Sequence, residues 1–107
     1  MVDEKRLYGM LGFAMRAGRI IIGTDLVCTA MSKQGSAKPR LVLFSVSASA
    51  ATKKKVTVKS EFYSIEAVEI SIAADELGRL LGKSSAPMVL GITDDRFAEE
   101  IKRAILS

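Results

Sequence analysis

Apolar residues first recur at helical spacing over residues 3–16, where Leu7, Met10, Leu11 and Ala14 form an i, i+3, i+4, i+7 stripe. Asp3 is placed to cap this segment and Gly18 to stop it. Residues 19–22 are short and β-branched and predict a strand. Thr24 or Asp25 then begins a second helix, with Leu26, Val27, Ala30 and Met31 facing inward and Gly35 ending it. The uninterrupted apolar run Leu41-Val42-Leu43-Phe44, within residues 40–44, predicts a strand covered on both faces. Residues 45–51 are small and polar, as in a loop leading to a helix. Residues 52–63 read two ways: Val56-Thr57-Val58 alternates like a strand, whereas Ser49 ahead of two alanines and three lysines suits a capped helix. The helix preserves the β/α rhythm on either side. A strand at 67–72 (Val68, Ile70, Ile72) follows, then a helix at 73–81 burying Leu77, Leu80 and Leu81, with Gly82 as its stop. The last pair is a buried strand at 87–92 and a helix from Thr93 or Asp94 to about Leu106, with Phe97, Ile101, Ala104 and Ile105 inward. The order α-β-α-β-α-β-α-β-α predicts an α/β fold: a three-layer α-β-α sandwich around a four-stranded mixed sheet, with residues 1–107 as one domain.

Composition narrows the chemistry. Hydrophobic residues make up 49% of the 107, enough for a core that needs no metal or disulfide. Histidine is absent and Cys28 is the only cysteine, which removes most zinc sites, Cys–His nucleophiles and Ser–His–Asp triads. Cys28 itself reads as a small packing residue. The net charge of +4 favours polyanionic partners only mildly. Its distribution is more telling: residues 33–59 hold Lys33, Lys38, Arg40, Lys53, Lys54, Lys55 and Lys59 with no acid between them. One end of the molecule is therefore expected to be basic and the other mixed. The Lys53-Lys54-Lys55 run is read as a solvated face. A charged start and the lack of a long apolar run give no sign of a signal peptide or membrane span, so a cytoplasmic location is expected.

The most promising chemistry lies at residues 16–27. A basic turn with Arg16 and Arg19 leads through a short apolar segment to Gly23-Thr24-Asp25, where a helix begins. A helix start directs N–H groups and a positive dipole end outward and attracts phosphates. By contrast, Gly78-Arg79-Leu80-Leu81-Gly82-Lys83-Ser84 is no nucleotide loop: three residues separate its glycines where that motif needs four, and a helix precedes it. Phe13, Phe44, Phe62 and Tyr63 are assigned to the core, since aromatic residues are only 6% of the chain.

The sequence as a whole resembles the kink-turn RNA-binding ribosomal protein family, the L-seven-Ae superfamily, and most closely its small bacterial members of the YlxQ type. The resemblance is carried by Leu11-Gly12-Phe13-Ala14-Met15-Arg16-Ala17-Gly18-Arg19, Gly23-Thr24-Asp25-Leu26-Val27 and Leu41-Val42-Leu43-Phe44-Ser45 with Ser49 and Thr52-Lys53-Lys54-Lys55. Phe62-Tyr63, Glu76-Leu77-Gly78-Arg79-Leu80-Leu81-Gly82-Lys83 and Phe97-Ala98 after Asp94 continue it. It implies a guanine-reading Asn-Glu pair on the second helix and a loop before the last strand that covers flanking bases. Asp25 stands at the Asn position and Leu26 at the Glu position, and the loop is Lys83-Ser84-Ser85-Ala86. Asp25 can still accept from a base N–H, but Leu26 cannot. An acidic pair common after the central strand is replaced by Val46-Ser47.

The resemblance thus implies a non-catalytic protein recognising kinked or internal-loop RNA, associated with the ribosome and with ribosomal RNA among its candidate partners. Its RNA-binding residues are Arg16, Arg19, Gly23, Thr24, Asp25, Leu26, Thr29, Lys83, Ser84, Ser85 and Ala86. No cofactor, metal or membrane partner is implied, and a monomer is expected. The alternative is a protein–protein adaptor that keeps the fold and has lost the RNA site, an idea that Leu26 motivates.

Overall fold

The computed structural model describes residues 2–106. Its elements follow in the order α1 (Glu4–Arg16), β1 (Ile20–Ile22), α2 (Thr24–Met31), β2 (Leu41–Ser45), α3 (Ala50–Phe62), β3 (Glu66–Ile70), α4 (Ala74–Leu81), β4 (Val89–Ile92) and α5 (Asp95–Leu106). Helix ends are set locally. Asp3 accepts from the Arg6 N–H at 3.2 Å to start α1, and Asp94 accepts from the Phe97 N–H at 3.0 Å to start α5. Gly18 closes α1 with φ at +70°, while its N–H donates to Met15 and that of Arg19 to Ala14, so two terminal carbonyls are satisfied.

The sheet order is β1-β4-β2-β3, with β4 antiparallel to both β1 and β2 and β3 parallel to β2. The central strands are buried throughout because helices cover both faces. Leu41, Leu43, Leu90 and Ile92 pack with Leu7, Leu11, Leu77 and Ile101 on the side of α1, α4 and α5. Val42, Phe44 and Val89 pack with Val27, Met31 and Val56 on the side of α2 and α3. Gly91 admits α2 to that face: a Cβ there would lie 3.3 Å from Pro39 and 3.5 Å from Val27. The fold is therefore the three-layer α/β sandwich on a mixed sheet that the element order predicts.

Several sequence expectations need correction. The second helix ends at Met31 rather than Gly35, because Ser32, Lys33 and Gln34 offer nothing to bury; Gly35, at φ +71°, instead opens a short 3-10 turn. The third strand stops at Ile70, and Ile72 is buried from the following loop. Leu26, expected inward, is 64% exposed, because Cys28 shares the sheet-facing side of α2 with Val27, Ala30 and Met31 and thereby sets the rotation of the helix. Phe13 and Phe62, expected in the core, are also exposed. The basic stretch forms a face rather than an end, because 24–62 supplies both helices of one layer. On α2 and α3 the only acids are Asp25 and Glu61.

Tyr8 ties α1 to α4 by donating its hydroxyl proton to Glu76 Oε1. That hydrogen bond first, then burial and the charges of Glu76 and Glu4, push the phenol up to about 12 from 10.0. The folded state thus holds the proton more tightly than the unfolded chain. Its contribution is complete below pH 10 and disappears as the pH rises through about 12. Urea midpoints of wild type and Tyr8→Phe should converge over that interval; a constant separation across it contradicts the coupling. Among the described residues, no helix is long and apolar enough to cross a membrane.

Candidate nucleic-acid interface

Because β4 opposes the other three strands, one end of the sheet gathers the loops that follow β1, β2 and β3 and the loop that precedes β4. Helices α2, α3 and α4 all begin at this end, directing the positive ends of their dipoles to one surface. Two of these starts are closed by serine hydroxyls. Ser49 Oγ accepts from the Thr52 N–H at 3.1 Å, and Ser47 Oγ accepts from the Ala74 N–H at 3.0 Å. Ser45, fully buried, braces the same loops by donating to the Ile72 carbonyl at 2.7 Å and accepting from the Ser47 N–H at 3.0 Å.

Helix α2 starts differently. Its cap is Gly23, which brings no side chain and sits at φ +113°, ψ +144°, a region essentially reserved for glycine. The Gly23 N–H donates to the Val89 carbonyl at 2.9 Å, and its own carbonyl accepts from the Val27 N–H at 3.0 Å. Thr24, Asp25 and Leu26 then supply the first-turn amides for which an α-helix has no internal acceptor. The Asp25 side chain is 98% exposed, with Lys55 Nζ of α3 at 3.9 Å from its Oδ1. Such an open pair contributes little to stability and leaves both groups available.

The loop of Lys83, Ser84, Ser85 and Ala86 is exposed and lies tightly along α4. Gly78 permits this: a Cβ there would stand 2.5 Å from the Ser85 carbonyl oxygen and 3.2 Å from that of Lys83. The loop passes through buried Pro87 into Met88 and Val89, whose carbonyls accept from the N–H groups of Ser45, at 2.8 Å, and Gly23, at 2.9 Å. Gly23, Thr24, Asp25 and the 83–86 loop thus flank the same end of β4, although some sixty residues separate them along the chain.

The remaining sequence candidates lie elsewhere. Strand β1 carries Arg19 to the opposite end of the sheet from Gly23, about 13 Å away at strand rise. There it lines a groove of about 390 Å³ along the outer edge of β1, together with Leu26, Thr29 and Lys33. Leu26 and Thr29, one helical turn apart, connect the helix start to this groove. Arg16 belongs to α1 in the other layer, its guanidinium 4.8 Å from the centre of the Phe13 ring.

Three participants escaped sequence reading: Lys55 beside Asp25, Ser47 as the cap of α4, and Gly78 beneath the loop. Gly78 left a signal as an isolated glycine within a helical pattern, and Lys55 as part of the Lys53-Lys54-Lys55 run that reads as a solvated face. Chemically, this end of the sheet offers amides and helix dipoles for phosphate, a carboxylate that can accept from base N–H groups, and an apolar side chain in Leu26.

Comparison with known proteins gives a consistent picture. The sequence model of the ribosomal protein L7Ae/L30e/S12e/Gadd45 family matches residues 5–102. The RNA-binding protein YlxQ of Enterococcus faecium is 33% identical over 103 residues, covering 96% of this chain and 94% of that one. The RNA-binding protein YlxQ of Bacillus subtilis (strain 168) is 36% identical over 94 residues, covering 88% and 89%. Among solved structures, a protein of unknown function from Bacillus halodurans C superposes with a TM-score of 0.84 at 28% identity, covering 95% of this chain and 98% of that one. The 15.5kD RNA binding protein of Giardia lamblia shares the fold, with a TM-score of 0.74 at 16% identity over 94% and 82% of the two chains.

Proposed function

The chain belongs to the ribosomal protein L7Ae/L30e/S12e/Gadd45 family, and from that premise we propose that it is a non-catalytic RNA-binding protein recognising a kinked or internal-loop RNA at the start of α2. The observation that carries this reading is the uncapped helix start at Gly23 beside the loop seated on Gly78. Phosphates meet the amides of Thr24 to Leu26, Asp25 accepts from a base N–H, and the 83–86 loop covers the flanking bases. Arg19, Thr29 and Lys33 extend the contact along the β1 edge, where phosphate binding adds affinity without sequence information. Arg16, in the opposite layer, contributes at most to the general field of the protein. Ribosome-associated RNA, ribosomal RNA included, is the proposed partner, met in the cytoplasm by a monomer.

Fluorescence anisotropy with a kink-turn RNA and a matched straight duplex, across a salt series, tests this. The bent RNA should bind more tightly. Asp25→Ala should lower its affinity about fivefold, the lower end of what one base contact provides, and leave the duplex unchanged. Equal and salt-sensitive binding to both RNAs would reduce the site to a basic surface.

A second reading is kept by one observation. Leu26 is 64% exposed at the head of the β1 groove, an apolar position suited to a protein contact. Absence of binding to either RNA at low salt would favour a protein–protein adaptor on the same fold.

A further inference from the structure

Helix α3 carries apolar side chains on both its closed and its open side. It buries Val56 and Ser60 against the sheet and α2, while Val58 and Phe62 stand in solvent at 57% and 78% exposure. Large apolar side chains on the open side of a helix, with a serine on the closed side, mark a surface that something else covers. The open side forms a shallow groove of about 650 Å³, lined chiefly by Lys54, Lys55, Val58, Lys59, Phe62 and Tyr63. Lys54 and Lys59 take part in no ion pair among the described residues, and no acid lines the groove. The Phe62 ring meets that of Tyr63 in an edge-to-face contact at 4.9 Å and 86° while remaining open to solvent.

We propose that this face of α3 binds a single-stranded RNA segment flanking the folded element held at α2. Bases stack on Phe62 and against Val58, and phosphates run along Lys54, Lys55 and Lys59. The inference rests on the RNA-binding reading above and extends its footprint. Two observations favour RNA over a partner helix. Lys55 interrupts the apolar stripe of Ala51, Val58 and Phe62, which breaks the continuous seam that a docked helix needs. Lys55 also lies 3.9 Å from Asp25, which joins the groove directly to the proposed base-reading position. Three lysines within two helical turns and one open aromatic ring are the elements of a single-strand track: cations for the backbone and a π-face that accepts any base.

The test compares a kink-turn RNA with the same RNA carrying an eight-nucleotide oligo(U) extension at either end, by fluorescence anisotropy with the full chain. One extension should tighten binding about tenfold. Phe62→Ala should abolish that gain while affinity for the unextended RNA stays within twofold. The double variant Lys54→Gln with Lys59→Gln should lower affinity for the extended RNA by clearly more than for the unextended one, whose change measures the general electrostatic contribution. Both sites are on the surface, and unchanged Tm values verify that the fold is intact. An extension that adds nothing to wild-type binding, or a gain that survives Phe62→Ala, overturns the inference and leaves the α2 reading standing. An acidic amphipathic helical peptide of glutamate and leucine serves as the rival probe. If it binds in a Phe62-dependent way while the extension adds nothing, the groove belongs to a protein helix. Oligo(U) alone separates the two readings when the kink-turn RNA fails to bind: Phe62-dependent binding of oligo(U) retains the α3 track and removes the α2 reading, and no binding removes both.

Discussion

Gly23→Glu is expected to lower affinity for a kinked RNA about 100-fold, equivalent to about 2.7 kcal/mol. Two effects combine. The new carboxylate sits at the amino end of α2, where it satisfies the amides and dipole that phosphate would otherwise meet, and it repels the phosphate itself. The backbone also resists, because φ +113° with ψ +144° costs a residue bearing a Cβ about 1–3 kcal/mol. Gly23→Ala separates these contributions. Open space surrounds the Cβ position, so alanine shares the strain without the charge. Alanine should therefore lower Tm about as much as glutamate does while retaining most of the RNA binding. If alanine costs as much affinity as glutamate, the helix start acts through its shape and the anion-binding account fails.

Gly78→Ala is expected to weaken RNA binding at least about tenfold through the 83–86 loop. A Cβ 2.5 Å from the Ser85 carbonyl oxygen cannot be accommodated without movement. The buried α4 backbone is braced by Leu77 and Leu81 in the core, whereas Lys83 to Ala86 are exposed, so the loop is the part that yields. Alanine in a helix interior recovers about 1 kcal/mol over glycine, against about 1–3 kcal/mol for overpacking. Tm should consequently change by only several degrees while affinity falls. Thermal melts alongside anisotropy measure both quantities, and an unchanged affinity for kinked RNA would detach the loop from the site.

These expectations depend unequally on what was legible in the chain. The Leu7, Met10, Leu11, Ala14 stripe with Asp3 and Gly18 at its ends identified α1 because its signals are local: one carboxylate, one left-handed glycine and one periodicity. The apolar run Leu41 to Phe44 identified the central strand because both its faces are buried. The start of α2 at Gly23 was legible for the same local reason. The rotation of α2 was not. Leu26 with Ala30 and Val27 with Ala30 and Met31 both satisfy helical spacing, and packing of Cys28 on the sheet selected the second. Phe62 was misassigned because hydrophobicity alone does not say which side of a helix meets the sheet.

The amino-acid sequence by itself determined the succession of helices and strands, the two ends of α1, the stop of α4 at Gly82 and the α/β class, since these follow from local signals and their order along the chain. It also carried the family resemblance and the unusual Asp25-Leu26 pair. Only the tertiary structure decided which groups share a surface. Strand direction separated Arg19 from Gly23 despite their closeness in sequence and brought Gly23 beside the 83–86 loop through Val89. Helix packing placed Lys55 against Asp25 and turned Val58 and Phe62 outward. The reason is that helix and strand formation is governed by neighbours along the chain, whereas a binding surface is assembled from residues whose distances depend on sheet order and on how each helix rolls against the core.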